Sequence, residues 1–466
     1  MDLSLSKFDL SVFVILTILT LFYTLLLSRR HSEKSVADYL LFGRKLTLPL
    51  FVTTLVSTWY GDIFGVTQIA FKRGINTIAI YGLGFYFAGI FFMLFFVEKA
   101  RKMNVFTLPE IIQKKYGKTA YKLVSLMVLV KALPITYLIG IGLLIQKLFG
   151  LDLYYSMMVG LVFVIAYIGI RGFSGIIYSD AIQFILMYAS VIMVVAFSYF
   201  KYGGYGFLDI NLDGSYFSIN GEEALSGLFI WFFISIMTTF MSPVFYQRCF
   251  AAKNTKVAKR GIFISLIFWM ICDFCTVIGS MYASAVLPNS MPHEAYFNYA
   301  LSILPIGLKG VFLAGIAATI LSTLDSFLFI CSNTLMYDLF NKKFVKNNIY
   351  KIGSLAVVGG ITFFLAGHFV DDIDKFYILL RSYCGVTLAI PLMCTIAFGK
   401  FLSEKQFIAS IILACIFMVV SDFVQSEIYI ESFYVGALVS FLSIIIFLIM
   451  NNVKRKFLLK VVYESK

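Results

Sequence analysis

Thr319, Ser322, Thr323 and Ser326 recur at i, i+3, i+4 and i+7, so in a helix their hydroxyls share one face. Uncharged oxygens grouped in this way suit a hard cation such as sodium, which takes hydroxyl, carbonyl and carboxylate ligands. Close helix packing is the plainer reading, because stripes of small hydroxyl residues serve that purpose too. Asp325 falls inside the same stretch, and Asp62, Lys131, Asp180, Asp273 and Arg381 also sit within long apolar runs. Ionisable groups in such runs are costly and mark ion or solute pathways, or else structural ion pairs. Two polar stretches should interrupt helices. One is Ser57-Thr58-Trp59-Tyr60-Gly61-Asp62, the other Thr238-Thr239-Phe240-Met241-Ser242-Pro243. Unwound segments at matching places in two halves of a chain leave carbonyls and helix ends free to bind ions and solutes; a simple kink is the rival explanation for each.

The elements that position these residues follow from composition. Of 466 residues, 60% are hydrophobic and only 14% charged, with a mean hydropathy of +0.91. A soluble domain carries about 25% charged residues, so lipid must be part of this chain's solvent. A soluble enzyme, a secreted disulfide scaffold and a disordered regulator are thereby excluded. About thirteen segments are apolar over the ~20 residues a membrane helix needs. They lie near 10–28, 46–71, 75–97, 120–146, 154–170, 176–200, 224–246, 261–285, 308–337, 350–368, 376–398, 405–423 and 429–450. They lack the alternation of barrel strands, so the expected fold class is all-α and integral to the membrane.

With the N-terminus outside, 29 of the 38 Lys and Arg fall on inward segments and 7 on outward ones, leaving Lys131 and Arg381 within spans. That bias supports a cytoplasmic C-terminus in a multi-pass protein of the cell membrane. The net charge of +13 then reports topology, and no nucleic-acid partner is expected. The first span reads as a retained helix, because its flank is not basic and no small-residue cleavage site follows it. Three scattered histidines offer no metal or catalytic cluster, and Cys272 and Cys275 read as packing within a helix. With no nucleophile–base constellation, the chain is not expected to be an enzyme. Depth adds one link. At 1.5 Å per residue, Ser322 lies ~20 Å below the outer face of a ~30 Å core, and Asp180 lies ~8 Å above the inner face. Both oxygen sources thus reach similar depth in the inner half.

The chain carries Asp38-Tyr39-Leu40-Leu41-Phe42-Gly43-Arg44, then Thr107-Leu108-Pro109-Glu110 with Tyr116-Gly117, then Gly172-Phe173-Ser174-Gly175 leading to Asp180-Ala181-Ile182-Gln183. Ser242-Pro243, Gln247-Arg248, Ala251-Ala252-Lys253 and Ala258-Lys259 follow, and then Ala317 to Ser326. Across roughly residues 35–400 these motifs, in order and spacing, resemble the sodium:solute symporter family. The resemblance implies a LeuT-like fold of ten core helices in two inverted repeats of five. Residues 1–45 would form a leader helix and loop, 46–400 the core, and 401–466 two trailing helices with a basic tail.

The resemblance also implies a sodium site between the first and eighth core helices. Ser322 and Thr323 would supply hydroxyls, Thr319 a carbonyl, and Leu55 and Thr58 the carbonyls of the first core helix. Asp180 matches an acidic residue that in relatives lies beside this site or helps form a second one. Trp59, Asp62, Lys131, Tyr137, Thr238, Thr239 and Arg381 are the pocket-depth candidates for the solute. Lys131 lies near the place where sialic-acid transporters of this family set an arginine against the substrate carboxylate. With Arg381, it points to a carboxylate-bearing solute such as an amino acid, a sugar acid or an organic acid, unless Lys131 pairs with Asp62 or another buried carboxylate. The implied activity is sodium-driven uptake by alternating access. Proton coupling through Asp62, Asp180 or Asp325, and a solute sensor that does not transport, are the alternatives.

Overall fold

The computed structural model describes residues 5–29, 35–220, 225–368, 373–424 and 429–464. Apolar runs of this length hydrogen-bond internally as helices because lipid offers the backbone no partner, and the described residues are helices joined by short turns. A leader helix, α1 (Lys7–Ser28), opens on a capping box between Ser6 and Asp9. The first set of core helices comprises α2 (Leu48–Ser57), α3 (Ile63–Arg73), α4 (Gly84–Phe95), α5 (Lys118–Lys131), α6 (Ile135–Phe149) and the long α7 (Leu153–Tyr202). The second comprises α8 (Leu225–Phe240), α9 (Pro243–Ala251), α10 (Thr255–Val286), a short connecting helix α11 (Pro292–Ile303), α12 (Leu308–Asn333), α13 (Asn348–His368) and α14 (Ile373–Phe398). Two more, α15 (Glu404–Val424) and α16 (Tyr429–Glu464), pack on each other after the core.

Among the described residues nine segments are long and apolar enough to cross a membrane. At the four remaining expected positions stand shorter apolar helices, Leu48–Ser57, Leu153–Gly169, Trp231–Phe240 and Tyr383–Phe398. Three of these shortened spans are explained by breaks. Residues 58–62 separate α2 from α3, and Met241-Ser242 separate α8 from α9, where Pro243 starts the new helix. In α7 the chain turns at Gly172, whose φ of 52° belongs to the left-handed region open to glycine. A Cβ there would also meet the Tyr39 ring at 2.5 Å. The two spans expected at 154–170 and 176–200 are therefore the arms of one bent element.

The centre of the molecule is α12. In its span 94% of the most apolar window is buried, against 17% in α1, so α12 is surrounded by protein while α1 presents its side chains outward. The longest contact of α12 runs along α7, where Gly315 lets the two helices approach: a Cβ at Gly315 would lie 2.4 Å from Ser190 Cβ. At one end of the bundle the broken helices are tied. Leu46 N–H donates to the Ala251 carbonyl (3.1 Å), and Lys253 N–H donates to the Leu46 carbonyl (3.0 Å). Elsewhere Asp9 Oδ1 accepts the Gly307 N–H (2.6 Å), fixing α1 to the start of α12. Nearby Lys147 donates to Glu294 Oε1 (3.0 Å) and holds the Glu294 carboxyl below its usual range.

Candidate sodium and solute site

The hydroxyl stripe of α12 faces the broken first core helix. Ser322 Oγ lies 2.9 Å from the Ser57 carbonyl and 3.1 Å from the Thr319 carbonyl, donating to one or the other. Thr323 Oγ1 lies 3.3 Å from the Thr319 carbonyl. The Thr319 hydroxyl is turned away to the Gly315 carbonyl (2.8 Å), so only its carbonyl faces the site. Across the gap, Gly61 touches Thr323: a Cβ on Gly61 would sit 2.5 Å from Thr323 Cβ. The unwound stretch thus comes as close to α12 as a backbone can, which requires glycine. Leu55 and Thr58 are both buried here. The α2 carbonyl that reaches Ser322 is that of Ser57, between the two positions counted from the sequence. Ser57, Thr319, Ser322 and Thr323 are fully or almost fully buried, and their carbonyl and hydroxyl oxygens are the donor chemistry of a hard cation.

Asp180 lies one step further in. Its carboxylate accepts from the Thr54 hydroxyl, and its carbonyl accepts from Ser57 Oγ (3.1 Å). Asp325 accepts from the Tyr167 hydroxyl (2.6 Å) and Ser179 Oγ (3.3 Å). Arg248 completes the layer. Charge counting along the sequence places it among the cytoplasmic basic residues, yet it is wholly buried, 3.6 Å from Asp180 Oδ2. The break before Pro243 accounts for this, because it folds α9 back beneath the core rather than out of it.

A cavity of about 120 Å³ lies beside the Thr58–Asp62 stretch. Trp59, Asp62, Lys131, Tyr137 and Thr238 line it, together with Tyr60, Tyr86, Trp269, Asp273 and Phe327. The Trp59 ring is 4.8 Å from Trp269 and 5.0 Å from Phe85 between centroids. The Tyr60 and Tyr86 hydroxyls both lie within hydrogen-bond reach of the Asp273 carboxylate, and the single Tyr60 O–H donates either to it or to the Trp269 carbonyl (2.9 Å). Thr239 is not part of the lining: its hydroxyl donates to the Ser235 carbonyl (2.9 Å) on its own helix. The Arg381 side chain lies outside the described residues. Trp59 and Tyr137 were read from the sequence, whereas Tyr60, Tyr86, Trp269, Phe327 and Asp273 are what sequence reasoning left out of the pocket. Asp273 stood among the buried ionisable residues, but nothing in its local pattern showed that α10 meets Tyr60.

This fold matches the solved structure of a Na+-coupled sialic acid symporter in a substrate-bound, outward-open state, with a TM-score of 0.82 at 15% identity over 96% of this chain and 98% of that one. The architecture is therefore that of the LeuT-like membrane transporters. Residues 39–368 match the sodium:solute symporter family, and the chain belongs to that family. A sodium/glucose cotransporter of Vibrio parahaemolyticus is 24% identical over 442 residues, covering 82% of this chain and 78% of that protein. Sodium/glucose cotransporter 4 of Mus musculus is 24% identical over 414 residues, covering 77% of this chain and 59% of its own length. Membership makes the protein a multi-pass membrane transporter rather than an enzyme, with sodium as coupling ion and a small solute as cargo.

Proposed function

We propose that the protein imports a small carboxylate-bearing solute (an amino acid, sugar acid or organic acid) with sodium, by alternating access in a thirteen-helix arrangement with the N-terminus outside and the C-terminus cytoplasmic. Residues 46–400 are the transport core, 1–45 a leader and 401–466 an addition outside the cycle. Sodium sits between the Ser322 and Thr323 hydroxyls, the Thr319 carbonyl and the carbonyls of the Leu55–Thr58 turn, with Asp180 supplying charge from below. The solute lies in the aromatic cavity, where Lys131 meets its carboxylate and Asp62, Trp59, Tyr137 and Thr238 shape the rest.

One observation supports this reading above others: the same five residues, 58–62, contact Thr323 on one side and wall the cavity on the other. Ordering that stretch around a cation also sets Trp59 and Tyr60 against a solute, so each ligand improves the seat of the other. One charge moved through 100 mV contributes about 2.3 kcal/mol, and a tenfold sodium gradient adds about 1.4 kcal/mol. Together they sustain roughly 500-fold accumulation per sodium.

The test is a thermal-shift screen of acids, their amides and neutral sugars against purified protein, with and without sodium, followed by uptake into proteoliposomes at fixed pH. An acid that stabilises the protein only when sodium is present, and whose uptake stops when potassium replaces sodium, is the expected result. Uptake that persists in potassium and follows an imposed pH gradient would replace sodium with protons, the reading that the buried carboxylates otherwise favour.

A further inference from the structure

Asp273 stands in the wall of the solute cavity without a basic partner. It lies on α10 one turn after Trp269, and both line the cavity beside the unwound stretch. The Tyr60 hydroxyl reaches its carboxylate from that stretch and the Tyr86 hydroxyl from α4. An ionised carboxylate offers about four lone-pair sites, so the two tyrosines fill no more than half of them. Among the described residues no lysine, arginine or histidine forms an ion pair with Asp273. An ionisable group deep in an apolar span is costly and marks a path for ions or solutes. Its charge is tolerated best beside one of opposite sign.

The walls around Asp273 select the kind of cation. Trp59, Trp269 and Phe85 pack against one another there, and Tyr60, Tyr81 and Tyr86 extend the aromatic lining. Ring faces attract organic cations, tryptophan most strongly. A carboxylate set among aromatic rings therefore suits an alkylammonium group, which donates hydrogen bonds to the first and rests its charge on the second. The other charged residues of the described lining are Asp62 and Lys131, so two acids face one base. A solute that carries only a carboxylate answers Lys131 and adds a third negative charge. A neutral sugar leaves Asp273 uncompensated. A solute with both a carboxylate and an ammonium group answers both residues at once.

We infer that Asp273 seats a protonated amine, which makes the solute a zwitterionic amino acid rather than a sugar acid or an organic acid. The inference rests on the reading that the solute lies in this cavity with its carboxylate at Lys131. Tyr60 and Tyr86 then act as positioning residues that orient the Asp273 carboxylate toward the amine.

Matched solutes test this. Purified wild type and Asp273→Asn are melted in sodium with a panel of amino acids at increasing concentration. Each is set beside its hydroxy acid, which has a hydroxyl for the amine, and its amide, which keeps the amine and loses the carboxylate. A sugar acid and neutral sugars complete the panel. On wild type an amino acid should bind roughly 10- to 150-fold tighter than its hydroxy acid, the loss expected for one charged hydrogen bond. Asp273→Asn keeps an acceptor for the tyrosines and removes the charge, so that ratio should fall toward one. A purely structural role would weaken both solutes alike and leave the ratio unchanged. A hydroxy acid, sugar acid or sugar that binds wild type as tightly as any amino acid would overturn the inference, as would an unchanged ratio in folded Asp273→Asn. If Asp273→Asn does not fold, the wild-type ranking alone decides. An amide that binds as tightly as its amino acid would take the carboxylate away from Lys131 and keep the amine at Asp273, so the two readings fail separately.

Discussion

Replacing Thr323 by valine removes one oxygen and keeps the shape that rests against Gly61. Thr323 is almost fully buried, so no water stands ready to take the place of that oxygen. A contact between a neutral oxygen and a charged partner contributes about 1.5–3 kcal/mol, which corresponds to roughly 10- to 150-fold in sodium affinity. Thr323→Ser keeps the oxygen and loses only the methyl group, so its sodium dependence should stay close to wild type. Two assays read the difference. In proteoliposomes the sodium concentration for half-maximal uptake should rise by the stated factor in Thr323→Val alone. In detergent, sodium at a hundred times the wild-type dissociation constant stabilises wild type by about 2.7 kcal/mol, and a site weakened a hundredfold gains only about 0.4 kcal/mol. The reasoning fails if Thr323→Val and Thr323→Ser share the same sodium dependence while both melt like wild type, because the hydroxyl would then serve packing alone.

Two further substitutions probe the walls of the site. Gly61→Ala places a Cβ against Thr323 at 2.5 Å, an overpacking worth about 1–3 kcal/mol; the unwound stretch must retreat, lowering the melting temperature and weakening sodium and solute together, and wild-type sodium activation in this variant would show that the close approach is unnecessary. Lys131→Met should weaken an acidic solute by roughly 10- to 150-fold through loss of one charged contact while leaving its amide little changed, and equal losses for the two would take the carboxylate away from Lys131.

Much of this site is legible before folding because its signals are local. The i, i+3, i+4, i+7 spacing from Thr319 to Ser326 already puts the hydroxyls on one face, and the helical structure carries that face unchanged to the centre of the bundle. Pro243 marks its break for a local reason, as a residue that belongs at the start of a helix, and Gly61 marks the other as a weak helix former, although what forbids a Cβ there is Thr323, remote in sequence. The aromatic cavity is different. Trp59 on the unwound stretch, Phe85 and Tyr86 on α4 and Trp269 on α10 meet only through tertiary packing, and an aromatic residue in an apolar run has no local mark that separates lining from lipid contact.

Arg248 shows where a charge count along the sequence misplaces a buried residue. The count treats a basic residue near the inner end of a span as exposed to cytoplasm, and for most of the Lys and Arg that assumption is sound. It fails where the helix is broken, because α9 re-enters beneath α2 and α12 and carries its guanidinium inward. What makes burial tolerable is remote in sequence: Thr54 and Thr58, Asp180, and Ser326 each lie on a different stretch of chain from Arg248. Each of those residues also belongs to, or adjoins, the proposed sodium seat. The guanidinium therefore faces the same buried Asp180 that lies beside that proposed seat. The same helix, α9, is tied to the chain before α2 by the hydrogen bond from Leu46 N–H to the Ala251 carbonyl.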